Sequence, residues 1–398
     1  LMLQAGETYY LGVNGAGPNA ADYDPFDPDS GQPGSQGDYS LLITATNPNP
    51  VLDAGAAAND GLPDTFTVRR DGADLVVFLG GAAEIFRQAE SETESLTING
   101  SGDADTLTVD LSFGDFDLTG TFHGGGGADT SIVLSNAMSD EQVSLRANGV
   151  QLDGTDAISF TAVEQSYFYG QPGDSALLFD SSGTDFFVSD GTYAYVAGLG
   201  DGTFRLASGV GFLYGYSSGQ AGDNAWHYDT AGVDSYVPSG TAYSYMSGQV
   251  NGQSFFNVGV GFAVSYAYST EGGSDFAYFL DSAGNDTLYV QDDATGDYAY
   301  MSGTGFFSVA QDFEAIFGQS FVGGMDTAYN FAPHKTVLAG FATVFTGPPQ
   351  PPDADNGSDA DAAFATNTAW NSSDDDEDDL SALDELMSDA DALDGMLG

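Results

Sequence analysis

The sequence predicts an all-β chain centred on a parallel β-helix, a solenoid of about 25-residue coils written as sequence repeats of about 50 residues. A partial β-sandwich precedes it and a disordered acidic tail follows. Three observations point there. A twelve-residue motif returns in register along the second half of the chain. Gly-rich turns, each followed by Asp and a short strand-forming run, recur in the first half. No stripe of apolar residues at helical spacing runs through 55–165.

Residues 1–46 form the first unit. Alternation in Thr8-Tyr9-Tyr10-Leu11-Gly12-Val13 and in Tyr39-Ser40-Leu41-Leu42-Ile43-Thr44 predicts two strands around a loop of Asp, Pro and Gly. These stretches, over about 45 residues, resemble the closing half of the bacterial pre-peptidase C-terminal domain, a β-sandwich appended to secreted proteins. The resemblance implies that the first half of the sandwich lies outside this sequence, and that the chain is a piece of something longer. Asn47-Pro48-Asn49-Pro50 reads as a linker.

Residues 55–165 are predicted as Gly/Asp-rich solenoid coils. Asp64-Thr65-Phe66-Thr67-Val68, Asp105-Thr106-Leu107-Thr108-Val109 and Asp129-Thr130-Ser131-Ile132-Val133 are related strand starts. The last two follow glycine turns, at Gly100 and Gly102 and at Gly124 to Gly127.

Residues 166–345 hold three and a half copies of the longer repeat. The string D-x-A-x-x-x-D-[ST]-x-G-x-D begins at Asp174, Asp223 and Asp275, with a decaying fourth copy at Asp326, at spacings of 49, 52 and 51 residues. Each full copy continues to an aromatic run that starts at Tyr193, Tyr243 or Tyr298. Five or six short strands per copy suggest two coils, which would stack these three tyrosines in one column. A propeller of kelch-length blades is the competing architecture, but closing one takes about four blades or more. Residues 346–379 then read as a disordered, self-repelling acidic linker. In 380–398, Leu380, Leu383, Leu386, Met387, Ala390, Leu393 and Leu397 fall at helical spacing. Such a short amphipathic helix is marginal alone in water and forms against a partner.

Charge excludes several functions. Six Lys+Arg against 59 Asp+Glu give a formal net charge of −53, which repels nucleic-acid phosphates and anionic lipid. The chain has no Cys, hence no disulfide framework or thiol chemistry. No apolar run approaches the length of a membrane-spanning helix. Acidity with abundant Gly, Asp and Tyr points to a secreted or cell-surface protein. Adaptation to high salt is the other source of such a charge.

Calcium is the cofactor these carboxylates suggest, because a hard cation needs six to eight oxygens. In the repeats the candidates are Asp174, Asp180, Asp185, Asp229, Asp234, Asp281 and Asp286. The loop Asp22-Tyr23-Asp24-Pro25-Phe26-Asp27-Pro28-Asp29 offers a second cluster in Asp22, Asp24, Asp27 and Asp29. The stretches ending in Asp105 and Asp129 resemble the calcium nonapeptides of repeats-in-toxin proteins, which implies calcium at both aspartates. They are single rather than tandem, and Ser131 stands where that family points an apolar residue inward. The competing reading is turn chemistry, with Asp capping turn amides and Gly supplying positive φ.

Catalytic patterns are weak. Gly215-Tyr216-Ser217-Ser218-Gly219 matches G-x-S-x-G, but in so Gly-rich a chain about one match arises by chance. His123, His227 and His334 lie far apart and read as surface or stacking residues. A β-helical polysaccharide lyase needs basic residues, and none pairs with the clustered Asp. The expected function is therefore non-enzymatic: a structural or adhesive surface protein, resembling the C-terminal parts of large bacterial surface proteins built from Gly/Asp-rich repeats. Its partners would be surface polysaccharide, matrix or further copies of itself. The alternatives are a β-helical carbohydrate-active enzyme and a calcium-dependent extracellular filament subunit.

Overall fold

The structure, a computed structural model, describes residues 46–347 except 56–59, 118, 137–139, 153–155, 221 and 294–295. The sandwich strands and the carboxylates Asp22, Asp24, Asp27 and Asp29 lie outside the described residues, as do the linker beyond 347 and the 380–398 helix.

The described residues are all-β, with two 3-10 turns at Glu90–Glu92 and Leu111–Phe113. Ahead of the repeats come β1 (Val51–Asp53), β2 (Thr65–Asp71), β3 (Asp74–Leu79), β4 (Ala83–Ala89), β5 (Leu96–Asn99) and β6 (Thr106–Asp110). Then follow β7 (Gly120–His123), β8 (Thr130–Leu134), β9 (Gln142–Arg146), β10 (Gly149–Leu152), β11 (Asp156–Thr161) and β12 (Gln165–Tyr169). The first repeat holds β13 (Ser175–Phe179), β14 (Thr184–Ser189), β15 (Tyr193–Leu199), β16 (Phe204–Ser208) and β17 (Phe212–Tyr216). The second holds β18 (Asn224–Tyr228), β19 (Ser235–Ser239), β20 (Tyr243–Val250), β21 (Gln253–Val260) and β22 (Val264–Tyr268). The third holds β23 (Phe276–Leu280), β24 (Thr287–Asp293), β25 (Gly296–Gly303), β26 (Phe306–Gln311) and β27 (Ala315–Gln319). The partial fourth supplies β28 (Thr327–Asn330), β29 (Thr336–Ala339) and β30 (Thr343–Thr346).

Two sheets take all of these strands. Sheet 1 has 14, in the order β1-β5-β7-β11-β10-β9-β13-β17-β21-β20-β19-β23-β27-β29. Sheet 2 has 16, in the order β30-β28-β24-β25-β26-β22-β18-β14-β15-β16-β12-β8-β6-β2-β3-β4. Neither closes on itself. The chain visits the sheets alternately, and successive visits pair in parallel, as in Ala176↔Leu213 and Ala225↔Ser265. Propeller blades are small separate sheets, so pooling the strands in two large sheets disposes of the propeller alternative.

Five visits are three-stranded antiparallel meanders rather than single strands. They are β2–β3–β4, β14–β15–β16 and β24–β25–β26 in sheet 2, and β9–β10–β11 and β19–β20–β21 in sheet 1. Local chemistry builds them. Val250 pairs with Gln253 across Asn251-Gly252, whose φ values of 52° and 80° are those of a tight hairpin that favours Asn-Gly.

The meanders correct the expected coil count. Each copy makes three visits with five strands, so the next copy starts on the opposite sheet. Tyr193 and Tyr298 lie in sheet 2 and Tyr243 in sheet 1. The three keep the same local place: each stacks on the tyrosine two residues on, at 6.3, 6.1 and 6.5 Å. They do not form one column. Three strands spent on one visit, rather than on three, account for the difference.

Alternation along most strands buries one face. Phe66, Ile98, Phe122, Phe168, Leu178 and Phe187, drawn from both sheets, share one apolar cluster. A second gathers Tyr236, Met246, Phe279, Leu288 and Ile316. Gly215 leaves room for this packing: a Cβ there would stand 2.2 Å from the Phe187 ring.

Candidate functional site

The aspartates of the motif sit where the chain turns into or out of each sheet, and all but the half-buried Asp180 are buried. Asp129, Asp174, Asp185 and Asp234 are fully buried, and Asp105, Asp229, Asp281 and Asp286 nearly so. Burial of a carboxylate demands partners, and the partners are backbone amides of neighbouring levels. Asp105 accepts from the Asp64 N–H (3.1 Å), Asp129 from the Asp105 N–H (2.7 Å), and Glu164 from the Asp129 N–H (2.8 Å). The same step joins Glu141 to Asp174 (2.8 Å), Asp185 to Asp223 (2.9 Å), Asp234 to Asp275 (2.7 Å), Asp275 to Glu314 (2.7 Å) and Asp286 to Asp326 (2.7 Å). Each acidic side chain thus clamps the backbone of the level before it.

The second oxygen commonly serves the local turn. Asp185 accepts from the Ser181 N–H (3.1 Å) and hydroxyl, and Asp234 from the Thr230 N–H (2.7 Å) and hydroxyl. Asp180 accepts from the Ser218 N–H (2.6 Å) and hydroxyl, one level on. Asp180 and Asp185 thus accept from different backbone amides, one a level on and one in the local turn. Among the described residues no group of three or more His, Asp or Glu side chains is disposed to hold a metal ion. Among the described residues four buried aspartate oxygens keep no hydrogen-bond partner: Asp64 Oδ2, Asp129 Oδ2, Asp234 Oδ1 and Asp281 Oδ1. Burial, with Asp105 and Glu164 close by, pushes the Asp129 carboxyl up to about 6. Burial also raises Asp185, Asp234 and Asp275 above the usual carboxylate range.

The interior carries polar groups that the sequence did not reveal. His227 is fully buried, with Nδ1 2.9 Å from the Ser189 hydroxyl and Nε2 2.9 Å from the Ser244 hydroxyl. Ser189 and Ser244 belong to opposite sheets, so the imidazole ties the two together. Phe187 and Tyr236 rings flank it at 5.8 Å, and burial pushes it down to about 3. The expected ring contacts are present; the burial was not expected. Ser131 points inward and bonds the Ser166 hydroxyl at 2.9 Å, which resolves its odd place in the strand. Arg205 is 2% exposed and donates to the Phe179 carbonyl.

In the G-x-S-x-G stretch, the Ser217 hydroxyl donates to Asp223 and the Ser218 hydroxyl to Asp180. Both serines are turn residues. His334 makes an exposed pair with Asp292.

The outward faces are aromatic. Between Ser175 and Leu280 the charged residues within strands are Asp185 and Arg205, both buried. Outside, rings stack from strand to strand. In sheet 1, Phe179–Tyr216 (4.9 Å), Tyr245–Phe256 (4.9 Å) and Tyr278–Phe317 (4.5 Å) are in contact. In sheet 2, Phe186–Trp226 (5.8 Å), Trp226–Tyr266 (6.1 Å) and Tyr228–Tyr268 (5.3 Å) continue the pattern. Over this stretch exposed carboxylates thus lie only in the turns, and two uncharged strand faces remain; β24 and β25, farther on, carry Asp292 and Asp297.

No family model, curated protein or solved structure matches this chain, which leaves its function to be read from this geometry.

Proposed function

We propose that the chain is a non-enzymatic, secreted or cell-surface scaffold, a two-sheet β-solenoid whose aromatic faces adhere to neutral polysaccharide. The observation that carries this reading is the segregation just described: rings on the broad faces, acid in the turns. Tyrosine combines a large apolar ring with a polar tip, and a rigid array of such rings costs little entropy to present. A polyanionic glycan meets repulsion from a −53 chain; a neutral one does not.

The test is co-sedimentation with insoluble cellulose and chitin, with alginate gel as the acidic control. Retention on a neutral polymer should fall at least tenfold in the triple variant Tyr214→Ser, Tyr245→Ser, Tyr278→Ser. Equal retention of variant and parent, or preference for alginate, would discard the reading.

The four unpartnered aspartate oxygens favour calcium as a stabilising ion. Ions that bind only the folded state raise its stability by mass action. Melting in millimolar Ca²⁺ should exceed melting in NaCl of equal ionic strength, and the variant Asp129→Asn, Asp234→Asn, Asp281→Asn should lose that excess. Equal effects of the two salts would remove calcium from the account.

A further inference from the structure

One turn of the last repeat departs from its counterparts. Counted back from the Asp that opens the next strand, Ser218, Gly219 and Gly222 correspond to Thr270, Glu271 and Ser274, and then to Phe321, Val322 and Met325. Hydrogen bonds confirm the alignment. The N–H of Ser218 donates to Asp180 (2.6 Å), that of Thr270 to Asp229 (2.9 Å), and those of Phe321 and Val322 to Asp281 (2.9 and 2.8 Å). Polar turn positions have become large apolar ones, and these face water: Phe321 is 69% exposed, Val322 55% and Met325 73%.

This turn lies beside the last loop of the described chain. Ser320 N–H donates to the Ala339 carbonyl (2.9 Å), and Ala342 N–H to the Asp326 carbonyl (3.0 Å). There β29 and β30 end the two sheets, each with one edge unpaired. Val344 is in register with the inward-facing Ala328 yet 46% exposed, and Phe345 is 48% exposed. Core-facing positions are open at this end.

We propose that residues 380–397 of the same chain cover this end as a docked amphipathic helix. Three arguments select that occupant. The chain runs on from Gly347, next to the bare strand β30, for a further 51 residues. A linker of 32 residues, 348–379, has a root-mean-square reach of about 30 Å, which gives its far end a high effective concentration at the patch. Second, a terminal cap needs an apolar inner face and a polar outer face. Leu380, Leu383, Leu386, Met387, Ala390, Leu393 and Leu397 supply the first, and Asp384, Glu385, Asp389 and Asp391 the second, with Asp394 interrupting the apolar stripe near its end. At helical rise the segment would be about 27 Å long, enough to cross two sheets packed about 10 Å apart. Third, the strands at this end bring little acid of their own: residues 327–347 contain no Asp or Glu, and the nearby Asp292 and Asp297 are paired with His334 and Lys335.

The absence of native Cys allows trapping in the full-length chain. With Val344→Cys and Leu386→Cys together, mild oxidation should give a disulfide within one chain. In a second full-length variant, Leu383→Asp with Leu386→Asp, amide exchange of residues 336–346 should quicken at least tenfold over the parent. A disulfide joining two chains would assign the end to a second copy and overturn the proposal. So would no disulfide, with exchange unchanged in the Asp variant.

Discussion

The two ends of the paired strands are finished differently. At the N-terminal end, edge strand β4 carries Arg87, which pairs with Asp71 (2.7 Å), Asp74 (3.3 Å) and Glu84 (2.9 Å). Gln88 of the same strand ties down the Asn47 and Glu92 carbonyls. Arg69 lies over the Phe78 and Phe113 rings at 4.6 and 4.3 Å. At the C-terminal end, β30 is exposed along its whole length and has no charged residue. Charges on an edge strand are a standard defence against pairing with another chain. Half of the six basic residues, Arg69, Arg70 and Arg87, stand at the defended end. The difference teaches that half of the scarce positive charge stands at one end of the paired strands, while the other end leaves uncharged and apolar side chains in the open.

The largest test of this contrast is in the core. Phe66, fully buried in β2, should cost about 3–5 kcal/mol on truncation to Ala, measured by denaturant unfolding. In a chain ending at residue 379, which lacks the proposed cover, Val344→Ala at the other end should cost roughly 1 kcal/mol at most, because half its side chain then meets water. Equal losses would erase the contrast.

Acid should separate two buried groups, His227 and Asp129, by sign. His227, in the second repeat, is pushed down to about 3 from 6.5. The unfolded chain therefore takes up a proton below pH 6.5 that the folded chain refuses, and stability falls as pH drops from 6.5 towards 3. By pH 4 this should reach roughly 3 kcal/mol. Asp129, nearer the N-terminus, titrates up to about 6 rather than 3.8. Its folded form binds the proton more readily, so its contribution is full below about pH 3.8 and is lost as pH rises through 6. Asp129→Asn should steepen the acid loss of stability between pH 6 and 4, and His227→Gln should flatten it. Shifts of the same sign would refute the assignment.

The smallest stability change is expected at the guarded edge. Arg87→Leu should leave the melting temperature nearly unchanged, since its ion pairs are exposed. It should instead introduce concentration-dependent association through β4, seen by sedimentation velocity. A variant that stays monomeric at all concentrations would show that the ion pairs do not guard the edge.

Much of this was legible in the sequence. Strand type, repeat length and the turn chemistry of Asp-Ser-x-Gly-x-Asp follow from local rules, and Ser181 and Asp185 meet as those rules require. The column of acids was not legible, because its partners lie 24 to 41 residues apart, as for Asp105 with Asp129 and Asp234 with Asp275. The alternation of sheets was hidden for a related reason. A hairpin strand and a crossing strand show the same period of two, and only pairing distinguishes them. His227 was missed because its serines sit 38 residues before and 17 after it, with no motif joining them.

Three visits per copy is an odd number, and that parity limits how such a gene can grow. Unequal crossing-over that adds or removes one copy shifts every downstream strand to the opposite sheet. The aromatic surface that follows is inverted, and the end strands exchange sides. Gain or loss of two copies restores the original sidedness. Length variants that keep a given face pointing one way should therefore differ by pairs, about 100 residues at a time.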